Sequence, residues 1–570
     1  MSDIMKMKNL KNKVHRDGFD LSRRVGFTSK VGELNVVDFI PCIPGDKHEL
    51  DLSSFTRTQP LQTATLGRLR EYYDVFFVPY RLLWSPFNDW VLQGNHSNIA
   101  KSWNSAAGQT ETCPFITKDQ IFTIISSRAF QQPFELDETN QSDYTRAECS
   151  LKLLEYCGLG VESLKNTSSV AINIWTLLAY QKIYQDYFRF SQWEDVAPWT
   201  YNLDWLNVGD DMNMYLDQND YEGVSSPFDL RFVNYDKDYF HGILPSPQYG
   251  DTAIASPITG ELRGNLQISA SDGTTNMAPL FINKGTGYVQ YQGDSSFNGT
   301  KTANVYANLN QILESNTNNA GLSVLSIRYA EMFQKWKEIT LSSSDRSVKS
   351  LLEKHWNVNV SDYFSDKCQY LGGIKQNIDI NSVVNQNLAD SSSRADIHGM
   401  GVATGNGKIN VNVKEYGVVM ILHHAKPIID WDYNKVFDKS YLQITPQSFP
   451  IPEFDNIGME GVKAFEFLSS SWVSQSISDK VVGYAPRYVN YKTSFDKVKG
   501  EFLRSLKPWF LPFSQTSDDV DYKTFKVNPH IVDNLFGVAA NGNTNTDHLQ
   551  CLCYMNVKSV RNLSRDGLPY

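Results

Sequence analysis

The sequence predicts a mainly β fold of sandwich or barrel type, with helices confined to the connections. Three observations carry this: short runs that alternate apolar and polar with period two, runs apolar at every position, and helical periodicity only outside both. The first strand is Tyr72-Tyr73-Asp74-Val75-Phe76-Phe77-Val78, aromatic and β-branched and closed by Pro79. Farther along, Ile409, Val411 and Val413 alternate with Asn410, Asn412 and Lys414, as in a half-buried strand. After Gly417, the run Val418-Val419-Met420-Ile421-Leu422 predicts a strand covered on both faces. Helical spacing runs through Trp175, Leu178, Ala179, Ile183 and Tyr187, and again through Leu325, Tyr329, Met332, Phe333 and Trp336, with a shorter helix over 348–356.

A chain of 570 residues exceeds one ordinary compact domain, so it holds several domains or one core with long insertions. With 41% hydrophobic and 20% charged residues it is neither disordered nor collagen-like. Its 31 Phe, 29 Tyr and 12 Trp supply the broad rigid surfaces that sheet faces and protein interfaces use. No window approaches a membrane span and no apolar run follows the first lysines, which predicts a protein without secretion signal. The seven cysteines, an odd number scattered from Cys42 to Cys553, predict reduced thiols and folding in the cytoplasm. Residues 250–322, rich in Asn, Thr, Gly and Ser with alternations such as Gly287-Tyr288-Val289-Gln290-Tyr291, read as a surface excursion with small strands of its own. Residues 94–170 also resist assignment to a core, and no fixed-period repeat points to a solenoid or propeller.

The net charge of -10 is unevenly spread. Residues 1–30 hold eight Lys/Arg against three acids, leaving 45 against 60 for the rest. This basic arm, with Lys6, Lys8, Lys11, Lys13, Arg16, Arg23 and Arg24, has the composition that neutralises phosphates by counterion release; a solvated terminus is the competing reading. A second cluster spans 480–507, where Arg487, Lys492, Lys497, Lys499 and Arg504 lie among Tyr484, Tyr488, Tyr491 and Phe502. Cations interleaved with aromatics serve single-stranded nucleic acid through phosphate contacts and base stacking, and compete here with a surface strand whose tyrosines pack inward.

Enzyme signatures fail one by one. In Gly399–Ile409, Val402 stands where a phosphate loop needs its first glycine and Ile409 replaces the Ser/Thr, so the stretch reads as a flexible turn whose glycines supply positive φ. His423 and His424 are adjacent, so on a strand they face opposite ways and do not share a metal. Cys551 and Cys553, like Cys149 and Cys157, lack the partners of a zinc site and read as buried small apolar residues. Acid pairs such as Glu194-Asp195 and Asp210-Asp211 are expected by chance among 63 acids. The Asn-x-Ser/Thr sites at Asn166 and Asn298 carry no weight without a secretion signal. No catalytic residue, metal ligand or cofactor is assigned.

Several stretches, in order, resemble the major capsid protein of the Microviridae, in particular its gokushovirus-like branch. Phe19-Asp20-Leu21-Ser22 with Ile43-Pro44-Gly45-Asp46 is similar to the N-terminal signature, and Tyr72–Trp84 (YYDVFFVPYRLLW) to the strand after it. Ala179–Phe188 (AYQKIYQDYF), Lys237–Gly250 (KDYFHGILPSPQYG), Glu331–Trp336, Tyr370–Gly373 and Glu415-Tyr416-Gly417 follow. Gly483–Tyr491 (GYAPRYVNY) resembles the family's GYxPRYxxYK element, and Asp547-His548 with Val557–Arg561 its closing segment. The resemblance spans nearly the whole chain, departing in 94–170, 250–322 and Asp566–Tyr570.

It implies an eight-stranded antiparallel jelly roll, a viral β-barrel, with long, partly helical insertions: a basic arm over 1–30, one discontinuous domain over 31–570, and a surface protrusion at 250–322 or, second, at 94–170. It further implies a non-enzymatic subunit, about sixty copies of which close a T=1 icosahedral shell around a circular single-stranded DNA phage genome. Partners would be an internal scaffolding protein, a DNA pilot protein and a host receptor, with synthesis in the bacterial cytoplasm and residence in the virion. A carbohydrate-binding β-sandwich or a glycoside hydrolase also accommodates strands and aromatics, yet explains neither the ordered matches nor the basic arm.

Overall fold

The computed structural model describes residues 14–92, 113–126, 145–160, 170–205, 225–248, 268–271, 277–282, 289–291, 304–307, 324–342, 348–361, 365–384, 397–455, 458–467, 480–514, 519–536 and 546–566. Lys6, Lys8, Lys11, Lys13, Asn166, Asn298, Asp210-Asp211 and much of 94–170 and 250–322 lie outside these.

The principal sheet is wholly antiparallel and contains β1 (Asp17–Asp20), β2 (Arg23–Ser29), β3 (Asn35–Cys42), β4 (Lys47–Thr58), β5 (Arg68–Pro79), β6 (Gln369–Val384), β7 (Ile397–Asn412), β8 (Gly417–Ile428) and β9 (Leu549–Arg561). It counts nine strands where eight were expected. β1 and β2 lie end to end along the same partner, Asp17 opposite Arg561 and Ser29 opposite Leu549, interrupted only at Leu21 and Ser22. The rows therefore run β1/β2, β9, β4, β7, β6, β5, β8, β3. First pairs with last, β3 with β8, β4 with β7 and β5 with β6, the nested order of one long hairpin. Pairing of β9 with β4, β8 with β5 and β6 with β7 then rolls that hairpin up, which is the jelly-roll topology.

Side-chain alternation gives the curled sheet an inside and an outside. Leu50 and Leu52 of β4, Val75 and Phe77 of β5, Val419 and Ile421 of β8, and Met555 and Val557 of β9 meet in one inner cluster. Strands far apart in row order touch across it, as Phe27 of β2 does with His423 of β8 at 5.0 Å between ring centroids. Val418, Met420 and Leu422 of β8 face the opposite way, into a larger outer core. The run 418–422 is thus buried on both faces, as its composition predicts.

Helices cover the outer face. Trp175–Ile183 runs on as a π-helical turn through Phe188, and its Tyr180 hydroxyl donates to the Leu34 carbonyl at 2.8 Å. Within 94–170, the helix Arg146–Tyr156 opens on a reciprocal capping box between Thr145 and Glu148 and buries Leu153 and Leu154 in the outer core. Its Lys152 pairs with Glu33 at 2.7 Å and Asp547 at 2.9 Å, tying this stretch to both ends of the barrel sequence. The helix Val348–His355 lies where the spacing places it. Residues Gln248–Ser342 form a second compact unit with a four-stranded antiparallel sheet and the helix Val324–Leu341.

The glycine-rich stretch corrects its reading as a flexible turn. Gly399 to Gly407 lie inside β7, and none has positive φ. They are glycines because neighbours occupy the space a side chain would take: a Cβ on Gly405 would sit 1.9 Å from Gln376 Oε1, and one on Gly407 2.7 Å from Ile374. The same constraint at Gly417 is set by backbone, its Cβ meeting the Val78 carbonyl oxygen at 2.4 Å. Gly417→Ala is expected to destabilise the chain by about 1–3 kcal/mol, because a carbonyl inside a ladder cannot step aside. A urea-unfolding midpoint equal to wild type would refute this.

Candidate nucleic-acid interface

β8 runs on into Asp430–Asp432, the centre of a small parallel sheet flanked by Lys497–Val498 and Pro512–Phe513. Trp431 anchors it. Its indole is fully buried, with ring centroids of Phe513 at 4.9 Å, Phe467 at 5.1 Å and Phe240 at 5.6 Å. Its Nε1–H donates to Asp238 Oδ2 at 2.7 Å, while Asp238 Oδ1 accepts from the backbone of Phe240 and His241. Burial pushes the Asp238 carboxyl up, but the donors from His241 and Trp431 more than reverse this, so it stays ionised below its ordinary range. Asp238, Phe240 and His241 therefore form part of a socket for Trp431.

Strand alternation does the rest. Val498 turns inward and its neighbours outward, so the ammonium groups of Lys497 and Lys499 both lie over the Tyr433 ring, at 4.6 Å and 4.2 Å. Gly500, at φ +75°, starts the 3-10 turn Gly500–Leu503, after which Arg504 and Lys507 return to the same cleft. Tyr433, Lys435, Lys499, Arg504 and Lys507 line its volume of about 490 Å³. Lys435 is held by Ser514 at 3.1 Å and by Asp432 at 3.7 Å. Arg68 occupies the neighbouring acids, Asp430 at 3.2 Å and Asp496 at 2.5 Å. Asp432 shares the wall of the cleft, but among the described residues no carboxylate lies within 4.0 Å of Lys497, Lys499, Arg504 or Lys507, so cations outnumber acids there.

Other residues of the two basic clusters are placed differently. Arg487 packs over Phe454 and Tyr488 and donates to the Gln447 carbonyl at 3.1 Å; Lys492 pairs with Asp455 at 2.5 Å. Arg23 pairs with Asp38, Arg16 reaches the Gly45 carbonyl at 3.3 Å, and Arg24 is exposed on β2. The segment's aromatics are largely engaged: Tyr488 is buried, Phe502 packs on Phe510 at 4.7 Å, and Tyr491 donates to Gln443 at 2.8 Å. Geometry supports phosphate neutralisation more than base stacking. Tyr433 and Lys435 have no local sequence signal, since parallel pairing brings them to a segment some sixty residues later, whereas Lys507 is visible in the charge pattern.

The remaining motifs are structural. His423 and His424 do face opposite ways: His423 bonds Glu71 at 2.8 Å inside, and His424 stacks on Tyr72 at 4.7 Å outside. Burial, then Lys426 beside it, pushes His424 well below its ordinary pKa and keeps it neutral. Glu194 accepts from the Tyr184 hydroxyl at 2.7 Å in the core. All seven cysteines are free thiols, Cys551 and Cys553 buried. Among the described residues no helix is long and apolar enough to cross a membrane.

The model of the capsid protein (F protein) family matches residues 8–114 and 159–569 of this chain. Capsid protein VP1 of Chlamydia phage 1 is 21% identical over 550 residues, covering 86% of this chain and 84% of that protein. Capsid protein VP1 of Bdellovibrio phage phiMH2K is 21% identical over 520 residues, covering 87% and 85%. With a rolled-up antiparallel barrel, and a family match that runs from the basic arm to the closing strand, the chain belongs to the capsid protein (F protein) family, as its resemblance to Microviridae capsid proteins implied.

Proposed function

We propose that this capsid protein is the major shell subunit of a small tailless phage, about sixty copies closing a T=1 icosahedron around circular single-stranded DNA. The observation that carries the reading is the nested antiparallel ladder curled around its own core, a rigid block whose connections are free to supply contacts. Assembly needs no catalytic residue. Each subunit contact is modest, and closure makes loss of one subunit break several at once. The cleft of Lys499, Arg504 and Lys507, with Lys497 over its Tyr433 and with the arm of residues 1–30, supports contact with genome phosphates without sequence readout. Residues 250–322 are the first choice for a host-contacting protrusion, since the helices of 94–170 pack into the barrel's outer core. A scaffolding protein, a pilot protein and assembly in the bacterial cytoplasm complete the reading.

Negative-stain microscopy of the purified chain, with and without co-expressed scaffolding protein and single-stranded DNA, tests it. Uniform small icosahedral shells in any condition are expected. A monomer in every condition, above all one that binds or cleaves a polysaccharide, would overturn it.

A further inference from the structure

At the end of the barrel where β3 turns into β4, three chemically different donors converge. Cys42 closes β3, Asp46 follows Gly45 in the turn, and His48 is the second residue of β4. All three are at most 3% exposed, which closes the site to any ligand larger than an ion and the water that fills its fourth position. His48 Nε2 stands 3.4 Å from Cys42 Sγ and 3.5 Å from Asp46 Oδ2, and the three donor atoms all lie within 4.8 Å of one another. In a tetrahedral zinc site with bonds of about 2.0–2.3 Å, neighbouring donors are separated by roughly 3.3–3.6 Å.

The other contacts orient these donors. His48 Nδ1 and the Ser559 hydroxyl are 2.7 Å apart, which fixes the ring and leaves Nε2 turned toward the thiol and carboxylate, the outer-shell support typical of a ligating histidine. Asp46 Oδ2 accepts from the Ile43 backbone at 3.0 Å and has Arg561 Nε at 3.5 Å. Asp46 Oδ1, in a fully buried side chain, has no hydrogen-bond partner among the described residues, and neither has Arg561 Nε. A buried carboxylate oxygen left without a donor is costly, and a coordinated cation accounts for it.

A second triad is a contrast. Glu71, His423 and Cys551 are also mutually close, but Glu71 already accepts from Thr56 at 2.6 Å and Gln376 at 2.5 Å and bonds His423 at 2.8 Å. That carboxylate is saturated. Of these two clusters among the described residues, that of Cys42 alone has a carboxylate oxygen left unanswered, Asp46 Oδ1, beside the Oδ2 that stands at donor spacing.

We propose that Cys42, Asp46 and His48 form a structural binding site for a divalent cation of the zinc class. The donor set of one sulfur, one nitrogen and one carboxylate favours that class over magnesium or calcium, which take all-oxygen shells. On binding, the thiol proton, which otherwise lies toward the Ile40 carbonyl 3.2 Å away, passes to solvent, and the thiolate and carboxylate offset the two charges of the ion, with Arg561 beside Asp46 leaving one positive charge over. The ion joins β3 of one half of the barrel to β4 of the other beside β9, a cross-link that needs no oxidising compartment.

The test uses the full chain, kept reduced, loaded with zinc and dialysed, then assayed by elemental analysis, with cobalt as optical probe. About one zinc per chain is expected, together with a thiolate-to-cobalt charge-transfer band. Cys42→Ser abolishes the band and Cys551→Ser keeps it. Chelation lowers the wild-type melting temperature by about 3 °C or more. Should Cys42→Ser not fold, Cys551→Ser decides: a band kept in that variant supports the assignment, and a band lost overturns it. Absence of bound zinc after loading, a cobalt complex without a thiolate band, or a band that survives Cys42→Ser would each overturn the assignment.

Discussion

Trp431→Ala destabilises the chain by about 3–5 kcal/mol, the range for removing a fully buried large aromatic. The indole fills the centre of a cage of Phe240, Phe467, Phe495 and Phe513, and no neighbour is long enough to refill it. Its removal also takes one donor from the partly buried Asp238, which adds about 1 kcal/mol. Chemical unfolding of the purified chain measures the loss, with Trp356→Ala as control. Trp356 is 71% exposed, and its truncation shifts stability by less than about 0.5 kcal/mol. Equal effects of the two substitutions would show that Trp431 is no anchor. Since Trp431 also sets the register opposite Lys497, the variant loses the geometry of the basic cleft.

Replacing Lys497, Lys499, Arg504 and Lys507 together by glutamine weakens binding of single-stranded DNA about two-hundredfold at 0.15 M salt. Each phosphate contact contributes a slope of about -0.7 in log K against log salt, so four contribute about -2.8, which at that concentration amounts to ~2.3 decades. None of the four supports the fold through an ion pair among the described residues, so shells still form while their DNA content falls. Arg487→Gln with Lys492→Gln serves as control, because both side chains already have partners within the chain. An unchanged salt slope, or unchanged packaged DNA, removes the cleft from the genome interface.

What the sequence makes legible follows from which strands are apolar. β8 buries both faces over Gly417–Ala425 and β5 from Val75 on, and they announce themselves through Tyr72–Val78 and Val418–Leu422. β4 escapes a hydrophobic-pattern reading because its inward positions after Leu52 are Ser54, Thr56 and Thr58, polar groups such as Thr56 being satisfied by Glu71 across the barrel. Much of β7 looks like a turn because its glycines answer to residues elsewhere in the chain, Gly399 to Thr63, Gly401 to Thr58 and Ile378, and Gly405 and Gly407 to Gln376 and Ile374. The basic cleft is half legible for the same reason: Lys497, Lys499 and Arg504 stand out by charge, whereas Tyr433 and Lys435 arrive only through tertiary pairing. The carboxylate of Asp46 is visible in the Ile43-Pro44-Gly45-Asp46 signature, but its meeting with Cys42 and His48 needs the folded hairpin.

Pairing of the first row with the last has a consequence in time. β9 lies between β1/β2 and β4, so one whole half of the barrel lacks its middle strand until residues 549–561 have left the ribosome. At about 5–20 residues per second, β4 waits roughly 30–100 s between its own synthesis and the arrival of that partner. Contacts separated by more than five hundred residues, such as Asp17 with Arg561, are also the slowest to find by chain diffusion. Translation itself thereby acts as a timer, since the half of the barrel that β9 completes is the last to close.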